Sequence, residues 1–171
     1  MIHYHGTRIA VSDDQVARIL KSKHAFVSYA DTSQLSIVKD VCQSWALDNG
    51  AFSFWKSGKQ INFDDYFKFI EEVSGPSMDF FIIPDVIGGT EEENDDLISQ
   101  SPYQVNGVGG VPVWHTDESL NRLNRLLESF SKIAIGSGNG LTPNSPDWWM
   151  RIYQAMDLLT DNQGKPMTKI H

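Results

Sequence analysis

Short apolar runs alternate with stretches of helical periodicity along the whole chain. The runs predict strands at residues 2–5, 24–29, 44–48, 79–84, 111–114 and 132–136, with a further strand beginning at 167–171. Between them, apolar residues recur every three or four positions, as in the helix after Asn62, where Phe63, Tyr66 and Ile70 fall on one stripe. This alternation predicts an α/β protein whose parallel strands are connected by helices.

Polar residues at the segment ends indicate where several helices begin. Ser12 with Gln15 and Thr90 with Glu93 have the spacing of capping boxes, in which each side chain accepts a hydrogen bond from the other's backbone N–H. The strong helical pattern of residues 117–130 begins with acidic residues in its first turn. Residues 49–60 and the glycine-rich stretch that follows the acidic helix 91–99 show no such pattern and are predicted to be loops.

Two parallel architectures compete, and the positions of the polar residues separate them. A doubly wound sheet of five or six strands suits 171 residues, whereas a β/α barrel has eight strands and typically about 250 residues. However, Asp48, Asp85, His115 and the glycine-rich segment 136–140 each follow a strand. In a barrel all of them would meet at the carboxyl-end rim, while in an open sheet only those near the switch point would. The sequence therefore predicts a single (β/α)8 TIM-barrel-type domain over residues 1–171 that stops after about seven strands.

Composition and charge exclude several classes of protein. The net charge of −8 and the pI of about 4.9 mean that any contact with nucleic acid must come from a local patch. Cys42 is the only cysteine, which excludes an internal disulfide and a multi-cysteine zinc site. The sequence has no apolar run long enough for a membrane span, and its first residues lack the layout of a signal peptide. These features predict a cytoplasmic protein without a membrane partner.

Each residue that follows a strand also has a plain structural explanation. Asp48-Asn49-Gly50 is ordinary turn chemistry, Asp85 could cap the next segment, and a histidine after an apolar strand is usually hydrogen-bonded in the core. His3 and His5 share one face of a strand, which is a weak indication of a metal site.

The combination of these residues is more informative than any one of them. Two carboxylates, an imidazole, glycine N–H groups and the ring of Phe52 can together bind a flat heterocycle with several hydrogen-bond donors. Asp48, Asp85, His115 and Phe52 are therefore expected to share one cleft, and two neighbouring carboxylates should raise the pKa of one of them.

Four short stretches have a recognisable pattern: LDNGAF (47–52), IIPDVIGG (82–89), VPVWH (111–115) and IAIGSGNG (133–140). Together they resemble the barrel of the tRNA-guanine transglycosylase superfamily. They are most similar to the bacterial and phage relatives that insert 7-deazaguanines into DNA. The similarity spans most of the chain, from YHGT (4–7) to TKIH (168–171).

The resemblance implies a role for each candidate site residue. Asp48 would assist proton movement beside the reacting nucleotide, Phe52 would stack on the base, and Asp85 would read the base edge. His115, Gly136 and Gly138, which follow the later strands, would complete base recognition. The histidine departs from the glutamine usual in the tRNA enzymes, which leaves the base preference open. No cofactor and no metal are implied.

The family's nucleophile is an aspartate after strand seven, which attacks the ribose and forms a covalent intermediate. The sequence stops at His171, before that position. The chain is therefore expected to be a fragment, part of a split protein or a non-catalytic descendant, and to be inactive alone. Its open barrel edge is expected to pair with a second copy or a partner chain.

Three functions follow from these expectations. The leading one is a base-exchange glycosyltransferase that acts on a flipped-out guanine in nucleic acid, DNA rather than tRNA, and takes guanine or a 7-deazaguanine. The second is a metal-dependent hydrolase barrel, with His3, His5, His115 and an aspartate as ligands. The third is a base- or nucleotide-binding module without catalysis.

Overall fold

The computed structural model of the protein describes residues 2–138 and 140–171. Asn139, within the glycine-rich segment, and Met1 lie outside the described residues. The strands are β1 Tyr4–Gly6, β2 His24–Ser28, β3 Ser44–Asp48, β4 Met78–Ile82, β5 Gln104–Val105, β6 Val108–Val111, β7 Val113–His115, β8 Lys132–Gly136 and β9 Lys169–Ile170. The helices are α1 Asp13–Leu20, α2 Leu35–Val41, α3 Ala51–Lys56, α4 Phe63–Val73, α5 Glu91–Gln100, α6 Leu120–Ser129 and α7 Pro146–Leu159.

Side-chain caps determine where several helices begin. Asn62 Oδ1 accepts hydrogen bonds from the backbone N–H groups of Asp64 and Asp65 at 3.0 and 3.4 Å, at the start of α4. The predicted capping box of α5 is present: Thr90 Oγ1 accepts from Glu93 N at 3.2 Å, and Glu93 Oε2 accepts from Thr90 N at 2.7 Å. These bonds satisfy N–H groups that have no partner within the helix, so both helices begin at the predicted residues.

The strands form a parallel arrangement in nearly sequential order. β1, β2, β3 and β4 pair in that order, and β4 then pairs with β6, all in parallel. In the second sheet β7 pairs with β8 and β8 with β9, again in parallel. Helices connect successive parallel neighbours, as crossover connections require. The predicted α/β class with parallel strands is thereby confirmed.

Pro112 separates two strands where the sequence predicted one. β6 ends at Val111 and pairs with β4, whereas β7 begins at Val113 and pairs with β8. Proline has no N–H to donate to a ladder, but the carbonyl of Pro112 accepts a hydrogen bond from Ala134 N in β8 at 2.9 Å. The stretch 108–115 therefore joins the two sheets by changing its neighbour at the proline.

Two segments predicted to be loops contain regular structure. The helix α3 follows Gly50, whose φ of +75° starts the turn after β3. β5 and β6 form an antiparallel hairpin through Asn106-Gly107, with φ of +50° and +82°. An Asn-Gly pair with positive φ at both positions is typical of a two-residue hairpin turn, so this signal was present in the sequence.

The central parallel strands β3 and β4 have buried residues on both faces. One face packs against the helices in a large cluster that includes Val27, Leu47 and Phe81. The other face forms a smaller cluster: Ala46, Phe80, Ile82, Val111 and Ala134, with Tyr4, Phe26 and Val113 packed against it. Strands from both ends of the order contribute to this second cluster, so they approach one another across that face. The pairing of the described residues does not close into a continuous sheet.

None of the helices in the described part of the chain has both the length and the apolar character needed to cross a membrane.

Candidate functional site

The carboxyl ends of β3, β4, β7 and β8 surround a cavity of about 290 Å³. Five of the six predicted site residues line it: Asp48, Phe52, Asp85, His115 and Gly136. A second cavity of about 520 Å³ lies beside it, and Gly138 lines that one. Phe52, Ile87, His115 and Ser137 line both cavities, so the two are adjacent. We call them the inner and the outer cavity.

Asp48 is the last residue of β3 and its carboxyl group faces the inner cavity. Its Oδ2 accepts hydrogen bonds from Gly50 N at 3.0 Å and from Ser28 Oγ at 3.4 Å. Burial raises the pKa of this carboxyl group above its usual range. The hydrogen bond from Gly50 opposes the rise, and the charge of Asp85 adds to it. The raised pKa makes Asp48 able to hold a proton at a higher pH than an exposed aspartate.

Asn49 connects the ends of β3 and β4. Its side chain is only 2% exposed, and its Nδ2 donates to Ile83 O at 3.0 Å and to Asp85 Oδ1 at 2.6 Å. Its Oδ1 accepts from Ala51 N at 2.9 Å, at the start of α3. The predicted turn is present, but the side chain of Asn49 also positions Asp85 in the cavity.

His115 lies between two carboxylates. Its Nε2 is 3.0 Å from Asp85 Oδ2, and its Nδ1 is 3.2 Å from Glu118 Oε1. Glu118 Oε2 also accepts the backbone N–H of His115 at 2.8 Å. Burial by itself lowers the pKa of His115, but the hydrogen bonds and charges of Asp85 and Glu118 outweigh it and raise the pKa from 6.5 to about 9. At neutral pH the ring is therefore a cation that donates to both carboxylates.

Glu118 belongs to a buried network that continues away from the cavity. It accepts hydrogen bonds from Arg122 Nη1 and from Asn94 Nδ2, the latter at 3.2 Å. Arg122 is only 1% exposed, and it also donates to Asp95 Oδ1 at 2.8 Å and to the carbonyl of Val113 at 2.9 Å. Positive and negative groups alternate along this network, from His115 through Glu118 and Arg122 to Asp95. Each buried charge therefore has an opposite charge beside it, which offsets the cost of its burial.

Gly136 lies against the ring of His115, which leaves no room for a side chain. A Cβ at this position would be 2.8 Å from both His115 Cδ2 and Val113 Cγ1. Replacing Gly136 with alanine should therefore displace the ring from Asp85 and destabilise the fold by about 1–3 kcal/mol, the usual cost of overpacking. NMR of the His115 ring and urea unfolding would measure both effects.

Gly109→Ala is the matched control for that variant, because a Cβ on Gly109, also in a strand, would have no neighbour within 4 Å. An unshifted His115 resonance in the Gly136 variant would show that the ring is not held by this contact.

Gly138 is placed differently from the other predicted residues. Its N–H donates to Thr116 Oγ1 at 2.8 Å, so it already has an acceptor within the protein. A Cβ at this position would be 2.3 Å from Asp117 Oδ1. Gly138 thus allows the loop after β8 to lie close to Thr116 and Asp117 at the outer cavity. Gly136 allows β8 to lie close to the ring of His115 at the inner cavity.

The three aromatic residues of α3 have different environments. Phe52 and Trp55 are 59% and 60% exposed, and their ring centroids are 5.8 Å apart. Phe54 instead lies 6.0 Å from the ring of Tyr29, away from the cavities. Phe52 is therefore an accessible wall of both cavities, whereas Trp55 is an accessible wall of the outer cavity only.

The three histidines proposed as metal ligands do not form one group. His3 and His5 contact each other, with ring centroids 4.7 Å apart, while both ring nitrogens of His115 already face carboxylates. Among residues 2–138 and 140–171, no group of three or more His, Cys, Asp or Glu side chains is arranged to hold a metal ion.

Sequence reasoning missed Asn49, Glu118 and Arg122. The spacing of Glu118 and Arg122 is i, i+4, which is compatible with an ion pair at a helix start. That signal was available, but it does not distinguish an exposed pair from a buried one.

Comparisons of the chain with protein-family models, with curated proteins and with solved structures found no match.

Proposed function

We propose that the chain forms the base-binding side of a (β/α)8-type barrel that exchanges a guanine-type base in DNA for guanine or a 7-deazaguanine. One observation carries the proposal: Asp48, Asp85, His115 and Phe52 line a single cavity at the carboxyl ends of parallel strands. Active sites of β/α barrels lie at this end. The shared interior cluster, to which strands from both ends of the order contribute, supports the barrel.

Asp85 is suited to read the edge of a guanine-type base. Each of its oxygens accepts one hydrogen bond within the protein, from Asn49 at 2.6 Å and from His115 at 3.0 Å. A carboxylate oxygen has a second lone pair, so both oxygens can accept a further bond. The ring N–H and the amino group of guanine offer two adjacent donors. Adenine has an acceptor where guanine has the ring N–H, and an ionised Asp85 cannot donate to it.

Asp48 is suited to handle the proton in the exchange. When the bond between the departing base and the anomeric carbon breaks, its electron pair goes to the base nitrogen, which takes up a proton. The incoming base forms the new bond to the same carbon and loses a proton. Asp85 is paired with His115, whereas Asp48 lies on the same cavity with a raised pKa and no cationic partner among its hydrogen bonds. A carboxyl group of raised pKa holds a proton more readily than an exposed one, so it can both donate and accept a proton.

The test is the affinity for a single nucleoside measured by calorimetry. Asp85→Asn should weaken binding of 7-deaza-2′-deoxyguanosine about 10- to 100-fold, because the variant replaces an ionised acceptor by an amide that presents a donor. Asp40→Asn is the matched control, since Asp40 is exposed on α2.

The adenine analogue, 7-deaza-2′-deoxyadenosine, should bind the wild type poorly. Equal affinity of wild type and Asp85→Asn for the guanine analogue would refute base reading by Asp85. A base-binding module without catalysis would share this pocket, and incorporation of labelled base into DNA would separate the two.

A further inference from the structure

The helix α3 presents an accessible aromatic surface beside both cavities. Phe52 and Trp55 are more than half exposed, and their rings are tilted by 33° at a centroid distance of 5.8 Å. Phe52 lines both cavities, whereas Trp55 lines only the outer one. Trp55 therefore lies outside the lining of the inner cavity, where Asp85 would hold the base, and its exposed ring is available to a neighbouring group.

Two lysines lie at the end of the same helix. Lys56 is its last residue, and Lys59 follows the turn that ends it. Gly58, with φ of +68°, donates its N–H to Trp55 O at 3.0 Å, and Lys59 N donates to Phe54 O at 3.0 Å. This pair of bonds is a Schellman motif, which folds the chain back over the last helical turn. The motif thus holds the backbone of Lys59 against the helix that carries the two exposed rings.

The charges around the mouth of the site are unevenly distributed. Lys56 and Lys59 are exposed, and neither belongs to an ion pair among the described residues. The first turn of α5, which also borders the outer cavity through Glu91, carries three glutamates, Glu91, Glu92 and Glu93. No lysine or arginine lines either cavity within residues 2–138 and 140–171. A polyanion would therefore be attracted to α3 and repelled by α5.

We propose that α3 and its end turn bind single-stranded DNA next to the flipped base, with a flanking base stacked on Trp55 and phosphates beside Lys56 and Lys59. Exposed aromatic rings together with cations are the features that hold single strands without reading their sequence. The inference rests on the proposed function, because it places the flanking nucleotide outward from a base in the inner cavity. It adds the path of the DNA, which passes over α3 and away from α5.

Stabilisation of helix α3 explains the position of one lysine, but not the position of the other or the two exposed rings. A lysine in the last turn of a helix interacts favourably with the helix dipole, which accounts for Lys56. It does not account for Lys59, which lies beyond the helix, or for two adjacent rings that remain more than half exposed. Large exposed apolar residues next to one another are typical of binding surfaces.

The experiment measures binding of a fluorescein-labelled 12-nucleotide single-stranded DNA, with one central guanine among thymines, by fluorescence anisotropy. Trp55→Ala should weaken binding about 10- to 100-fold through the lost stacking, and Trp55→Phe should restore most of it. The matched control is Tyr103→Ala, because Tyr103 is also more than half exposed but lines a cavity with Lys132, at the start of β8.

The dependence of DNA affinity on salt concentration measures the contribution of Lys56 and Lys59 separately from that of Trp55. Two phosphate contacts contribute about −1.4 to the slope of log K against log salt concentration for a single strand, so Lys56→Gln/Lys59→Gln should flatten the slope by about that amount. Lys21→Gln/Lys39→Gln is the control, because both of these exposed lysines precede the amino ends of strands.

Three results would overturn the proposal: no measurable binding of the oligonucleotide, unchanged affinity of Trp55→Ala, or equal slopes for the two double variants. Tighter binding of RNA of the same sequence would overturn the assignment to DNA. Binding of 7-deaza-2′-deoxyguanosine is measured in parallel and should be unchanged in Trp55→Ala. If the nucleoside binds but the oligonucleotide does not, the interface is wrong and the base pocket stands. If the nucleoside does not bind, the proposed function is wrong whatever the oligonucleotide does.

Discussion

Replacing Glu118 with alanine should lower the free energy of unfolding by about 3–5 kcal/mol, the usual cost of removing one partner from a buried ion pair. Glu118 accepts hydrogen bonds from the backbone N–H of His115, the ring of His115, Asn94 and Arg122. Arg122 would keep only Asp95 and a carbonyl as partners while remaining buried. The loss is large because a buried charge without enough partners cannot be solvated.

Urea unfolding at pH 7 measures this effect through the transition midpoint. Glu128→Ala, on the exposed side of α6, the helix that follows Glu118, should change stability by no more than about 0.5 kcal/mol. Glu118→Gln should fall between the two, because the amide keeps the shape and one acceptor but loses the charge. A loss below about 1 kcal/mol for Glu118→Ala would mean that the network does not stabilise the fold.

Stability should fall as the pH rises from 6.5 to about 9. The pKa of His115 is raised from 6.5 to about 9 in the folded protein, so in this range the native state binds more protons than the unfolded state. The contribution of His115 is therefore complete below pH 6.5 and is lost as the pH passes 9. The shift corresponds to about 3 kcal/mol, and since the side chain is only 12% exposed, solvent screening reduces it little.

Urea unfolding at intervals between pH 6 and 10 would test this, with His115→Gln as the comparison. Glutamine keeps a hydrogen-bond donor between Asp85 and Glu118 but does not titrate, so its stability curve should be flatter across this range. The difference between the two curves isolates His115 from other groups. Parallel curves for the two proteins would show that His115 is not held as a cation by its two carboxylates.

Local signals explain why much of the fold was predictable. The capping box of Thr90 and Glu93 and the cap at Asn62 act within one helical turn, so their residues are neighbours in the sequence as well as in the structure. The alternation of apolar strands with amphipathic helices similarly predicted parallel pairing, because each strand must be buried on both faces. The same reasoning predicted that Asp48, Asp85 and His115 meet at the carboxyl ends of parallel strands, where they line one cavity.

Local signals were less informative for the strands between residues 104 and 115. VPVW was predicted as one strand, but Pro112 divides it into the end of β6, which pairs with β4, and the start of β7, which pairs with β8. The missing N–H of the proline shows where the pairing changes only once the neighbouring strands are known. The Asn-Gly turn of the β5–β6 hairpin had a specific sequence signal, but the two-residue β5 and the glycine-containing β6 beside it did not.

The sequence by itself determined the class of fold and the strand ends at which polar residues meet. Only the tertiary structure decided what those residues do to one another. Asn49 in the sequence is part of a turn, and in the fold it is a buried donor to Asp85, 36 positions away. Glu118 in the sequence is an acid at a helix start, and in the fold it raises the pKa of His115. The physical reason is that pKa shifts and hydrogen bonds depend on burial and on distances of about 3 Å between distant residues, which no local pattern contains.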